Sequence, residues 1–276
     1  MAEIEEYRSF YARYVVAVAG SSDASLVRAF AAVPRERFVS RGPWDVFTPG
    51  GYVPTGTDDP RILYQDILIA LAGDRFINNG QPSLHARSLA ALRLVAGEIV
   101  VHVGAGTGYY SAVLSELVGT AGSVHAYEIE PDLASLASEN LKPYPNVRVQ
   151  HASASALELP KADVVYVNAG ATHPLESWLD ALSLGGRLLF PLTADNGGGG
   201  MLLITHVAVG KYSAKFISPA RFIPCAGARD EAGARALAVA FARGKVDEVQ
   251  SLWRNASPDQ TVWCSGASWW LSTAPL

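Results

Sequence analysis

The chain is poor in cysteine, in charge and in long apolar runs. Its 276 residues hold two cysteines, Cys225 and Cys264, far apart and with no Cys-x-x-Cys. That excludes a disulfide framework and a redox pair, and reduced thiols of a cytosolic protein are the expectation. The six histidines show no ligand spacing, so no metal site is expected. Charged residues make up only 17%, with a net charge of -4 and no long run of either sign. The clustered Lys and Arg of a nucleic-acid footprint are missing, and no nucleic-acid partner is expected. No apolar run approaches the roughly 20 residues that span a bilayer, so no membrane partner is expected. The opening Met1-Ala2-Glu3-Ile4-Glu5-Glu6 is acidic, unlike the positive start of a secretory signal, and a cytoplasmic location is the plain reading. What the chain does have is apolar residues, 49% of the total, enough for a substantial core. Its length suits one large domain or two small ones.

The most informative stretch is Val100-Val101-His102-Val103-Gly104-Ala105-Gly106-Thr107-Gly108-Tyr109. An apolar run reads as a buried parallel strand, breaks into alternate glycines, and leads into a helical stretch from Tyr110 to Val118. Glycines let the backbone approach a ligand, and the new helix offers unpaired N–H groups at its start. The spacing separates ligand classes. A dinucleotide fingerprint is G-x-G-x-x-G, but here the third glycine comes one residue early, which disfavours an NAD-linked dehydrogenase. A phosphate-binding Walker loop needs Gly-Lys-Ser/Thr, and no such triplet is present. G-x-G-x-G suits S-adenosylmethionine, which has no phosphates. A second strand over 123–130 carries Glu128, about 20 positions past the glycines, where an acid reaches the ribose hydroxyls. Its two accepting oxygens suit a vicinal diol.

Three zones organise the chain. Residues 1–95 read as helical at first and then loop-rich, with an irregular segment over 41–60 rich in Gly, Pro, Thr and Asp; such loops often build a substrate pocket. Residues 96–225 alternate strand and helix, with strands expected at 98–104, 123–130, 146–153, 162–169 and 186–192, and helices at 131–141 and 175–183. Alternation implies an α/β, Rossmann-like, mostly parallel doubly wound sheet with ligands at the carboxyl ends of its strands. Segments 201–209 and 215–222, with no helix between them, predict an antiparallel hairpin at the sheet edge. Residues 226–276 read as a helical extension, with one or two helices over 230–255; Trp263, Trp269 and Trp270 are expected as packing anchors.

In this order the chain resembles the protein-L-isoaspartate O-methyltransferase family of class I S-adenosylmethionine-dependent methyltransferases. Ala32-Val33-Pro34-Arg35-Glu36-Arg37-Phe38-Val39, Tyr64-Gln65-Asp66-Ile67-Leu68, Gln81-Pro82-Ser83-Leu84-His85-Ala86, the glycine motif, Tyr127-Glu128-Ile129-Glu130, Gly185-Gly186-Arg187-Leu188-Leu189-Phe190-Pro191 and Arg221-Phe222-Ile223-Pro224 are each similar to a family segment. The resemblance implies S-adenosylmethionine as cofactor and a carboxyl group of a peptide or protein as acceptor. With the motif it assigns His102, Gly104, Ala105, Gly106, Thr107, Gly108, Tyr109, Glu128, Ile129, Ser153 and Asn168 to the cofactor, and Gly80, Gln81 and His173 to the acceptor side.

Three positions depart from the family pattern. Gly80 stands where the family has a Ser near the transferring methyl. His102 replaces the acid two before the first glycine, which helps order the cofactor's methionine end, and His151-Ala152-Ser153 replaces the acidic adenine contact. These departures keep other readings open: an aspartate of a biosynthetic precursor peptide or a small acid as acceptor, or a cofactor-binding module without turnover. A carboxylate is ionised at pH 7 and needs no base, whereas an amine or phenol usually does. Gln81 offers an amide to a carboxyl group, while Asn78 and Asn79 do likewise or favour a turn. His85 faces either pocket or core. His173 makes a polar contact in the site or serves as a helix-entry residue before Pro174. His102 hydrogen-bonds the turn or cofactor, or acts as a spacer. The oligomeric state is left open.

Overall fold

The computed structural model describes residues 2–276. The N-terminal part holds α1 (Ala2–Val18), α2 (Ala24–Ala32), β1 (Asp45–Thr48), β2 (Gly51–Pro54), β3 (Ala70–Ala72), β4 (Ile77–Asn78) and α3 (Pro82–Leu92). Strand and helix then alternate: β5 (Ile99–Val103), α4 (Tyr109–Val118), β6 (Ser123–Glu128), α5 (Pro131–Asn140), β7 (Val147–His151), β8 (Ala162–Val167), α6 (Glu176–Ala181) and β9 (Leu182–Thr193). Next come β10 (Gly199–Ala208), β11 (Lys211–Pro219), α7 (Glu231–Arg243), β12 (Ser251–Arg254), β13 (Val262–Ser265) and β14 (Trp269–Ser272). Two compact units result. One holds the chain up to Glu98 and Ala105–Ala152; the other holds Ile99–Gly104 and Ser153–Leu276. Among the described residues no helix is long and apolar enough to cross a membrane.

In the first unit β6 and β7 pair in parallel, from Val124 opposite Val147 to Glu128 opposite His151. Helices α1, α2 and α4 close on an aromatic cluster in which Tyr11 meets Phe30 and Tyr64, and Tyr109 meets Phe30 and Phe38, edge to face. Arg35 is buried there, its guanidinium over the Tyr11 and Tyr109 rings. It donates to the carbonyls of Leu63, Gln65 and Ile67 at 2.5, 2.8 and 2.8 Å. The Val-Pro-Arg-Glu segment therefore stitches the 63–67 loop to the helices. The segment expected to be irregular contains the β1–β2 hairpin, with Val46 opposite Val53 and Phe47 opposite Tyr52. Cross-strand pairing of these four apolar residues outweighs the flanking Gly and Pro.

In the second unit the strand order is β13-β14-β12-β11-β10-β9-β8-β5. The pairs β5–β8 and β8–β9 are parallel; every pairing from β9 outward is antiparallel. Val100, Val101, Val164, Val165, Tyr166 and Val167 are buried, which explains the unbroken apolar runs read from the sequence. The β10–β11 hairpin forms as expected, but it does not end the sheet. Beyond it lie β12, β14 and β13, where a helical extension was expected; only α7 is helical for more than one turn. The reason is local: Ser251-Leu252-Trp253-Arg254 and Trp269-Trp270-Leu271-Ser272 are short, rich in residues that favour strands, and pair in register. Trp263, Trp269 and Trp270 are buried in this layer.

Candidate active site

The glycine turn follows β5. Gly104, Gly106 and Gly108 have φ of 76°, 57° and 99°, a left-handed conformation that side chains resist. Gly108 has a second constraint: a Cβ there would lie 2.7 Å from Leu141 Cδ1, so the end of α5 packs directly on the turn. The Ala105 N–H donates to the Tyr127 carbonyl at 3.1 Å, fastening the turn to β6. The Gly106 N–H donates to Glu128 Oε2 at 2.6 Å, and the Glu130 N–H donates to Oε1 at 3.0 Å. Glu128 is 6% exposed. Burial pushes its carboxyl above the usual range, opposed by the N–H groups of Glu130, Gly106 and Ile129. Each oxygen keeps a lone pair for a further donor, so a vicinal diol fits this carboxylate.

Other residues of the motif contribute differently. Thr107 Oγ1 donates to the Phe38 carbonyl at 2.5 Å, and the Tyr109 ring is buried in the aromatic cluster. Their side chains are committed to the protein interior, and the Thr107 carbonyl accepts from Asn140 Nδ2 at 3.0 Å. Ile129 stays exposed just past β6. Arg75 braces the following loop by pairing with Glu130 and Asp132.

In the second unit Asn168 follows β8, its N–H donating to the Val103 carbonyl at 2.8 Å. Its Nδ2 lies 2.7 Å from His102 Nε2, while its Oδ1 is buried without a hydrogen-bond partner. His102 is fully buried and stacked on Tyr166 at 5.5 Å. Burial alone pulls its pKa down to about 3, so the ring is neutral at physiological pH.

Ser153 Oγ pairs with Ser155 Oγ at 2.7 Å, and Ser155 donates to the Ala226 carbonyl at 2.8 Å. His173 turns Nδ1 toward Asp230 Oδ2 at 3.2 Å and Thr172 Oγ1 at 3.1 Å. Asp230 also caps α7, accepting from the Gly233 N–H at 2.6 Å. The Gly233 N–H first, then the Thr172 hydroxyl and His173, hold its carboxyl below the usual range. The Asp230 partnership was missed from sequence; its one signal was an Asp three residues before Gly233 at a helix start.

On the acceptor side, Gln81 Nε2 donates to Asp66 Oδ2 at 3.0 Å. Asp66 also accepts from the Ser83 N–H at 2.7 Å and the Ser83 hydroxyl at 2.6 Å, so it holds the start of α3. Gly80 has φ of 72°, and a Cβ on it would fall 2.1 Å from His85 Nε2. His85 is buried and stacked on Tyr110 at 3.6 Å. The imidazole thus fills the space that a side chain at position 80 would need.

A strand–glycine turn–helix with an acid on the next strand, within an α/β fold, defines a Rossmann-like cofactor-binding protein. A profile of the protein-L-isoaspartate(D-aspartate) O-methyltransferase family matches residues 18–230, and the chain belongs to that family. It is an S-adenosylmethionine-dependent methyltransferase. Protein-L-isoaspartate O-methyltransferase 1 of Geotalea uraniireducens is 28% identical over 229 residues, covering 82% of this chain and 95% of the relative. The enzyme of Ignicoccus hospitalis is 33% identical over 167 residues, 59% of this chain and 78% of the relative. Two solved structures establish the fold. A protein-L-isoaspartate O-methyltransferase aligns with TM-score 0.66 and 24% identity over 79% of this chain and 66% of its own. A Plasmodium falciparum protein described under the same activity, in complex with S-adenosyl-L-homocysteine, aligns with TM-score 0.65 and 18% identity over 80% and 98%.

Proposed function

We infer that this chain transfers a methyl group from S-adenosylmethionine to the free carboxylate of isoaspartyl residues in peptides or proteins. The observation that carries the reading is the Gly106–Glu128 hydrogen bond within a chain matched by the family profile over residues 18–230. When bound, S-adenosylmethionine supplies an electrophilic methyl on a positively charged sulfonium. The protein's part is to hold and orient. Glu128 accepts from the ribose diol. The backbone of Gly104, Ala105, Gly106, Thr107, Gly108 and Tyr109 allows close approach, with Ile129 and Ser153 toward the adenosine and His102 and Asn168 toward the methionine end. Gln81, its amide fixed by Asp66, and His173, fixed by Asp230, serve the acceptor. A carboxylate acceptor is ionised at pH 7, so orientation suffices and no proton need move. The two buried free thiols suit a reducing compartment and support the proposal of a cytoplasmic location.

The Gly80–His85 packing favours a second reading, a related enzyme with another carboxyl acceptor such as a natural-product peptide. Methyl transfer from labelled cofactor to an isoaspartyl peptide and to its ordinary aspartyl twin tests the choice. Base-labile label on the isoaspartyl peptide alone is the expected result. Equal labelling of both, or of neither, contradicts it.

A further inference from the structure

We propose that the outer face of α1 is a self-association surface, on which a second copy of this chain lays its own α1 antiparallel.

Helix α1 buries one side and leaves an aromatic stripe on the other. Tyr11, Ala12, Val15 and Val16 are fully buried, while Tyr7, Phe10 and Tyr14 are 43, 60 and 44% exposed. Together with the exposed Glu3 and Ala17, the stripe runs 3, 7, 10, 14, 17. Alternating steps of four and three make the seam of a two-helix coil. The Phe10 and Tyr14 rings already stack, with centroids 6.0 Å apart. Arg61 ties down the start of the seam: its guanidinium lies over the Tyr7 ring and bonds Glu3 at 2.9 Å.

The charges beside the seam say what covers it. Glu6 and Arg13 each precede an aromatic of the stripe, both exposed and neither paired with a charge among the described residues. In an antiparallel coil this margin meets the same margin of the other copy. With Tyr7 beside Phe10 of the second copy, and Tyr14 beside its Glu3, each Glu6 falls opposite the other copy's Arg13. Two reciprocal ion pairs then flank the aromatics, and the two-fold arrangement closes on itself. The alternatives are worse. A slip of one heptad sets Arg13 against Arg13 of the second copy. In a parallel pair the margin meets Ile4, Tyr11 and Val18, which carry no charge. The 17-residue helix offers a seam of only about 25 Å, so the dimer is of the small, exchanging kind.

Sedimentation velocity of the full chain over rising concentration tests the proposal, with Phe10→Glu, Glu6→Arg and Arg13→Glu variants shown to be folded by circular dichroism. Wild type is expected to form a dimer whose share grows with concentration. Phe10→Glu should stay monomeric throughout. Each single charge reversal should weaken the dimer about tenfold, because the two-fold axis turns both ion pairs into like-charge pairs. Mixing Glu6→Arg with Arg13→Glu should restore association at the wild-type level, since one copy then carries two positive charges along the margin and the other two negative. Wild type that remains monomeric up to about 1 mM overturns the proposal. So does a dimer that Phe10→Glu leaves intact, which would use another surface, or a pair of charge variants that fails to associate on mixing.

Discussion

Gly80 and His85 are tied by one space. A side chain at 80 meets the His85 ring and also inherits a left-handed φ. Gly80→Ser should cost about 2–4 kcal/mol, part strain and part clash. Combining it with His85→Ala should recover the clash and leave the strain, giving a coupling of about 1–3 kcal/mol in a urea-denaturation cycle. Strict additivity contradicts the shared space. His102 gives a second residue-scale expectation. Its folded pKa of about 3 lies below the unfolded value of about 6.5, so its contribution is fully present above pH 6.5 and is lost as pH falls toward 3. Across that window wild type should lose about 1.4 kcal/mol more per pH unit than His102→Gln, read from denaturant midpoints. Parallel slopes count against a buried neutral ring. Glu128 was legible in the sequence because its spacing from the glycines is fixed by one strand–helix–strand unit. The contacts of His85 with position 80 and of Asp230 with His173 were not. A glycine does not announce what fills its place, and Asp230 reaches His173 across a long stretch of chain.

The C-terminal strands show what holds an element that propensity leaves ambiguous. Phe216 on β11, Phe241 on α7 and Trp263 on β13 meet edge to face, with centroids 5.7, 5.3 and 5.2 Å apart. Arg243 Nη2 donates to the Trp263 carbonyl at 2.5 Å, and Trp263 Nε1 donates to the Gly244 carbonyl at 2.9 Å. Trp263 thus joins helix and sheet at one point. Trp263→Ala should destabilise by about 3–5 kcal/mol in urea unfolding, with faster amide exchange in α7 and β13. A loss below about 0.5 kcal/mol contradicts this role, since that is the scale of an ordinary surface change. The parallel strands were readable because burial on both faces leaves long apolar runs. The C-terminal strands, four residues each, and the β1–β2 hairpin were not, because their identity depends on partners rather than on periodicity.

At the scale of the molecule, the alternating strands and helices place the candidate residues at strand ends. Glu128 closes β6, Asn168 follows β8, and the glycine turn follows β5. These strand-end placements could be read from sequence, because alternating strands and helices fix where each parallel strand stops. The side-chain partners that orient those residues came only with the fold. The central claim is that the glycine turn, braced by the Glu128 carboxylate, grips the adenosine of the methyl donor. Calorimetric titration of wild type and of Glu128→Ala with S-adenosylhomocysteine tests it most directly. The account predicts binding by wild type and a loss of about 10- to 100-fold in the variant, the value of hydrogen bonds to a charged group. No heat from the folded wild type, or equal affinity of the variant, would contradict it.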